Sequence, residues 1–130
     1  MSDSVPKASA AATAACGVYL LVALADARVV AIEEARFLGG VVNDPAFRGF
    51  DTRELAGEYN RLLALLRDDW KAAEAEILNA ASSVKSDETA VSAIKVAARQ
   101  AIVADQLIKP QEELVLARIA GALGLAADEL

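Results

Sequence analysis

Apolar residues recur along this chain at intervals of three and four, the spacing of one face of a helix. No stretch keeps the apolar–polar alternation of a half-buried strand. We therefore predict an all-α fold: one domain over residues 8–130, built as a compact bundle of about six to seven helices, after a flexible tail at 1–7. The main helices are expected at about 8–25, 31–42, 52–66, from 69 onward, 88–104 and 110–123.

Residues that start and stop helices separate these segments. Pro45 should end the second helix, because Pro cannot continue a helix and disfavours helix in the residue before it. Pro110 suits a first helical turn, and Gly124 suits a helix end. Phe47 and Phe50 are predicted to anchor the loop that follows Pro45. The N-terminal caps of the later helices are predicted at Asp51 or Thr52, at Asp68-Asp69, and at Ser86 or Asp87.

Composition supports the helical prediction and disfavours two classes of binding partner, nucleic acids and anionic membranes. Alanine, the best helix former, supplies 30 residues, and only six residues are Phe, Tyr or Trp. The formal net charge is −6 and no cluster of Lys or Arg occurs. Nucleic-acid binding needs a positive surface along the phosphates, so it is not expected, and an anionic membrane surface is disfavoured for the same reason.

Cysteine and histidine counts exclude several kinds of site. Cys16 is the only cysteine and histidine is absent. A disulfide framework, a zinc site with thiolate or imidazole ligands, and Ser-His-Asp or Cys-His catalysis are therefore excluded. Cys16 lies in a run of small residues and is predicted to be a buried apolar side chain.

The uncharged run from Ala8 to Ala25 resembles a signal segment, since Ala23-Leu24-Ala25 resembles a peptidase site. Asp3 offsets Lys7 in the leader, and the strongly apolar part of the run is short for a bilayer. We therefore expect a domain helix in a cytoplasmic protein with no integral membrane segment.

Two segments align when the sequence is shifted by 79 positions, which indicates a duplicated helix hairpin with an internal pseudo-twofold repeat. Each segment is a helix that ends in Ala-Asp, then a short turn with a β-branched residue, then Glu-Glu in the first turn of the next helix. The matched residues are Val22 to Asp26 with Ala101 to Asp105, Val29 with Ile108, and Glu33-Glu34 with Glu112-Glu113.

Helical phase predicts that both aspartates face inward. Asp105 follows Ala101, Ala98 and Ile94 by four, seven and eleven positions, and Asp26 follows Val22 and Tyr19 by four and seven. Glu33 precedes Phe37 by four positions and Glu112 precedes Leu116 by four, although phase alone does not choose them over Glu34 and Glu113. The carboxylates could then converge on the inner side of the hairpins.

Converging carboxylates have two interpretations. Oxygen ligands of this kind bind Ca²⁺ or another divalent cation, and a cation would relieve their mutual repulsion. Alternatively, first-turn glutamates stabilise helix N-termini and the aspartates accept turn N–H groups, which requires no metal. The EF-hand pattern is excluded because apolar residues fill the turn after Asp26.

The paired motifs resemble the two halves of tellurite-resistance TerB-like domains, a group that includes the N-terminal domain of the co-chaperone DjlA. The resemblance extends over about Val18 to Leu130, and the closing Leu123-Gly124-Leu125 resembles the family's C-terminal exit. It implies a bacterial, non-enzymatic role in stress response and an acidic centre that binds a divalent cation. By motif position, Asp26, Glu33, Asp105 and Glu112 would be the metal ligands, with Glu34 and Glu113 as alternates.

This chain departs from that pattern at both turns. The family usually has Gly directly after each Asp, where this sequence has Ala27 and Gln106, which pay for a positive φ. Lys109 could neutralise the acids in place of a metal. The cation therefore stays open beside a metal-free alternative in which the acids act as helix caps or salt-bridge partners.

The function predicted from the sequence is a binding or scaffold module with an unidentified protein partner, and a homodimer stays open. An apolar surplus on the first helix (Tyr19, Leu20, Leu21, Leu24) or the third (Leu62, Leu63, Leu66) would supply a docking face if it were not core. A hydrolase using the four acids is disfavoured, because no nucleophile or oxyanion hole is evident.

Overall fold

The computed structural model describes residues 10–24, 37–103 and 110–125, and these residues form an all-α bundle. The expected helices other than the second are confirmed over this part of the chain, with ends within about two residues of the predictions. The described helices are α1 (Ala10–Ala23), α2 (Thr52–Asp68), α3 (Trp70–Ser83), α4 (Glu88–Val103) and α5 (Pro110–Leu123). The predicted tail at 1–7 lies outside the described residues.

Aspartate caps start three of these helices, as predicted. The Asp51 carboxylate accepts the backbone N–H of Arg53 at 2.8 Å, and Asp69 accepts that of Ala72 at 3.2 Å. Asp87, rather than Ser86, caps α4 by accepting two backbone N–H groups, at 3.0 and 3.2 Å. Each carboxylate satisfies donors that the first turn of a helix leaves without an intrahelical partner.

Gly124 ends α5 in the predicted way. Its φ is +74°, a left-handed conformation that a side chain disfavours. Its N–H donates to the Gly121 carbonyl at 3.1 Å, and the Leu125 N–H donates to the Ala120 carbonyl at 2.8 Å. This pair of bonds is the Schellman arrangement, which satisfies the last carbonyls of the helix.

The second predicted helix ends earlier than expected. Residues 37–39 are helical, but Val41–Asn43 and Pro45–Phe47 are two short 3₁₀ turns, so the prediction of helix to residue 42 was wrong. Consecutive glycines at 39 and 40 weaken the helix before Pro45 does. The Asp44 side chain then caps the second turn by accepting the Ala46 N–H at 2.9 Å.

Aromatic side chains hold this loop on the core, as predicted. Phe47 is buried, and its ring lies 6.1 Å from that of Phe37 and 5.3 Å from that of Phe50. The Phe37 ring stacks on Tyr59 of α2 at 5.3 Å and lies 4.8 Å from Tyr19 of α1. The aromatic cluster therefore joins the loop, α1 and α2 in one core.

The centre of the bundle is α1. Every residue from 12 to 22 is buried, and α1 contacts α2, α3, α4 and α5. The apolar surplus of this helix is therefore core, and the hypothesis of a docking face on Tyr19, Leu20, Leu21 and Leu24 was wrong. Leu62 and Leu66 of α2 are buried as well. None of the described helices is long and apolar enough to cross a membrane.

Small residues let α3 approach α1 closely. A Cβ placed on Gly17 would lie 2.3 Å from Cγ1 and 2.6 Å from Cγ2 of Ile77, which is less than any normal contact. Ile77 is fully buried, so its side chain cannot turn away into solvent to make room. The helix crossing at this point therefore requires glycine.

Candidate functional site

The predicted acidic centre falls at the edges of the described structure. Asp26, Glu33, Glu34 and Asp105 lie outside the described residues. Glu112 lies in the first turn of α5, with its side chain outside the described part, and Glu113 is exposed. The geometry of the acids is therefore a prediction, and the structure informs it through the helices that lead into them.

Those helices have the register that the repeat predicts. Shifted by 79 positions, α1 at residues 10–23 becomes 89–102, and α4 occupies residues 88–103. The stripes that lead to the two aspartates are buried in both copies. These stripes comprise Tyr19 and Val22 in α1, and Ile94, Ala98 and Ala101 in α4.

The two helices also adjoin at the same end. Ala11, near the start of α1, lines one small cavity together with Thr89 and Ala90, near the start of α4. Among the described elements, α1 makes its most extensive contacts with α4. Helices that pack side by side with their N-termini together also have their C-termini on one side of the bundle, so Ala23 and Val103 end α1 and α4 on the same side.

The positions that follow the two predicted glutamates are equivalent and buried. Phe37 and Leu116 correspond under the 79-residue shift, and each lies four positions after its glutamate. Both side chains are buried in the hydrophobic core. Phe37 and Leu116 are therefore core residues in both segments, and the inward orientation of the two glutamates stays a prediction.

A polar cluster that the sequence analysis missed lies between α1 and α2. The Thr13 hydroxyl donates to Glu58 Oε2 at 2.6 Å, and both side chains are buried. Arg61 donates from Nε to Glu58 Oε1 at 2.7 Å and from Nη2 to Oε2 at 2.9 Å. Arg61 also forms an ion pair with Glu76 of α3. The cluster thereby joins α1, α2 and α3.

Neighbouring charges and burial shift the pKa values of Glu58 and Cys16 in this cluster. The hydrogen bonds from Arg61 lower the pKa of Glu58 against the opposing effect of burial, and Thr13 assists. Burial raises the pKa of the Cys16 thiol, and the charges of Glu58 and Glu54 raise it further. The Cys16 thiol donates to the Leu55 carbonyl at 3.3 Å. The cluster thus pairs an ionised carboxylate with an inert thiol, an arrangement that fastens helices together.

The position of Glu58 was detectable in the sequence. It lies three residues after Leu55 and four before Leu62, both of which are buried, so it falls on the apolar stripe of α2. A carboxylate on such a stripe requires a cationic partner, and Arg61 one turn later is the obvious candidate.

Among residues 10–24, 37–103 and 110–125, no group of three or more Asp, Glu, Cys or His side chains is placed to hold a metal ion. Comparison with protein-family models, with curated proteins and with solved structures gave no match.

Proposed function

We propose that this chain is a non-enzymatic, TerB-like binding or scaffold module whose four acids, Asp26, Glu33, Asp105 and Glu112, hold a divalent cation such as Ca²⁺. The observation that carries the proposal is the pairing of α1 with α4. Their N-terminal ends line one cavity, and they are the two most closely associated helices among the described elements.

Chain length limits how far the aspartates can lie from these helices. Asp26 and Asp105 follow Leu24 and Val103, the last described residues of their segments, by two positions. Two residues of chain span at most about 7 Å. Under this proposal both aspartates lie at the end of the bundle where α1 and α4 finish, where their carboxylates would offer an oxygen-seeking ion a shared site.

The test is a thermal-shift titration with Ca²⁺, Mg²⁺ and Mn²⁺ after treatment with EDTA. A bound cation at 100 times its dissociation constant stabilises the fold by about 2.7 kcal/mol, which raises the Tm by several degrees in a domain of this size. EDTA should reverse the shift. Asp26→Asn and Asp105→Asn should each abolish it, whereas Glu88→Gln, which removes a charge from the exposed first turn of α4, should leave it unchanged.

The absence of any shift at millimolar metal, together with no metal in native mass spectra, would contradict the cation site. The acids would then act as helix caps or as partners of Lys109. The proposal also includes a role in stress response and a protein partner. Recovery of proteins that bind this chain from cells under metal stress tests both.

A further inference from the structure

The contacts between α1 and α2 define a mode of helix binding. On the α1 side the polar donors are the Thr13 hydroxyl and the Cys16 thiol, three positions apart. On the α2 side the acceptors are the Glu58 carboxylate and a backbone carbonyl. The amphipathic helix α2 carries three arginines against Glu54, Glu58 and Asp68, so it has no net charge, and it places the Glu58 carboxylate on the Thr13–Cys16 face of α1.

The equivalent face of α4 carries the same kind of donors. The 79-residue shift takes Thr13 to Ser92 and Cys16 to Lys95. Ser92 is exposed and Lys95 is half-buried. The helices α2 and α3 lie between the two copies in sequence, and α2 covers this face in the first copy only.

A groove lies along this face. Its volume is about 370 Å³, and it is lined by Lys85, Glu88, Val91, Ser92 and Lys95. We call it the α4 groove. Half-buried Val91 gives it an apolar floor, and the lysine stems add methylene surface at its sides.

The charge of the α4 groove is opposite to that of the rest of the molecule. Two ammonium groups and one carboxylate line it, while the chain carries a formal net charge of −6. Neither Lys85 nor Lys95 makes an ion pair or side-chain hydrogen bond within the described part of the chain. The groove thus presents unpaired cations and a hydroxyl above an apolar strip.

We propose that the α4 groove binds an amphipathic helix of a partner protein that carries a glutamate on its apolar stripe, placed as Glu58 of α2 is placed on α1, and an excess of acidic residues that matches the two lysines. A partner glutamate would accept the Ser92 hydroxyl and the Lys95 ammonium, and its neighbouring apolar residues would rest on Val91. A helix laid along a groove is a common mode of peptide recognition, and opposite charge steers the encounter.

The chain itself supplies the peptide for the test. Residues 51–69, the amphipathic α2 segment with the aspartate at each end, carry five acidic residues against three arginines, and Gly57→Ala replaces an exposed helix-interior glycine to increase helicity. This peptide is titrated into the full-length ¹⁵N-labelled protein at low salt. We expect saturable shifts in the amides of residues 85–95, a loss of binding as salt rises, and about tenfold or greater weakening by Lys95→Glu.

Matched variants separate the groove from general charge attraction. Lys71→Glu makes the same charge change at an exposed position on α3 and should leave the affinity within twofold of the wild type, about the scatter of a surface change. A peptide with Glu58→Gln should bind more weakly than the parent. Circular dichroism of each protein variant should show the fold of the wild type, since both lysines lie outside the core.

Three results would overturn the proposal. These are no shifts at millimolar peptide, shifts that map away from α4, or equal weakening by Lys71→Glu and Lys95→Glu. A dimer of the full chain that Lys95→Glu converts to monomer would assign the groove to a second copy instead. The α4 groove uses none of the four acids, so failure here leaves the cation test standing, and failure there leaves this one standing.

Discussion

By sequence register α1 and α4 correspond to one another, and each has a buried face, but α1 is buried on its other faces too and α4 is not. Every residue of α1 from 12 to 22 is buried, whereas α4 has a wet face that includes Ser92 and Arg99. The residues of α1 that correspond to this wet face are Thr13, Cys16 and Leu20, and all three are buried.

The difference comes from what lies between the copies. Helices α2 and α3, which lie between α1 and α4 in sequence, both pack on α1. The face of α1 that α2 covers corresponds to the face of α4 that is exposed to water. The polar groups that remain on the covered face have partners: the Thr13 hydroxyl meets Glu58, which Arg61 neutralises. A duplicated element thus adapts to a central position by losing charge and by satisfying the few polar groups that it keeps.

If side chains are exchanged between equivalent positions of α1 and α4, the largest loss of stability should come from the exchange at Leu20. Leu20→Arg, which installs the residue found at the equivalent position 99, places a cation at a site that is 1 % exposed. An unpaired buried charge should cost at least about 4 kcal/mol, a large part of the whole stability of a small domain. Urea denaturation followed by circular dichroism measures the loss.

The reciprocal change Arg99→Leu is the control, since position 99 is exposed. It should alter the free energy of unfolding by no more than about 0.5 kcal/mol. Similar costs for the two changes would mean that α1 is no more enclosed than α4 in solution.

Gly17 provides the next largest effect. Gly17→Val installs the residue found at position 96 of α4, and its Cβ alone would overlap the Ile77 side chain. Overpacking of this kind should destabilise the fold by about 3 kcal/mol. The cost should fall in an Ile77→Ala background, because the side chain that blocks the new Cβ is then gone.

The reverse substitution in α4, Val96→Gly, is the matched comparison for Gly17→Val. Val96 is half-buried, so Val96→Gly should cost about 1–2 kcal/mol, through helix propensity and some lost apolar contact. Denaturant midpoints of the single and double variants measure these terms. An additive result for Gly17→Val with Ile77→Ala would contradict the close approach of α1 and α3.

The smallest effect is the pH dependence of the α1–α2 contact. Because the pKa of Glu58 is lowered in the folded state, its contribution is fully present above the ordinary glutamate pKa, about 4.3. The contribution is lost as the pH falls through the lower folded-state value. Glu58→Gln should therefore cost about 2 kcal/mol at neutral pH, and the gap to the wild type should close under acidic conditions.

Unfolding free energies of wild type and Glu58→Gln at pH 7, 5 and 3 measure this closure. A gap that stays constant with pH would show that Glu58 acts through its shape and not its charge.

Local features of the fold were predictable because they depend on neighbours in sequence. Asp51, Asp69 and Asp87 cap helices because a short carboxylate reaches N–H groups two or three residues on, wherever the helix lies. The end of the second helix was misplaced because Gly39 and Gly40 act before Pro45, and the prediction weighed only the proline.

The candidate sites were predictable only in part. The 79-residue shift, which aligns Asp26 with Asp105 and Glu33 with Glu112, is visible in the sequence alone. Glu58 was missed because its significance depends on Thr13, 45 positions away, and on which helix covers α1. The α4 groove emerged only when the covered and uncovered copies could be compared.

The sequence by itself determined where the described helices begin and which face of each is apolar, since these follow from local propensity and periodicity, and it predicts a duplicated helix hairpin. Only the tertiary structure decided which copy became the centre. That choice depends on long-range packing: Ile77 fits against Gly17, and α2 brings Glu58 to Thr13. Neither contact is visible in the spacing of residues along one helix, because each depends on how separate helices meet.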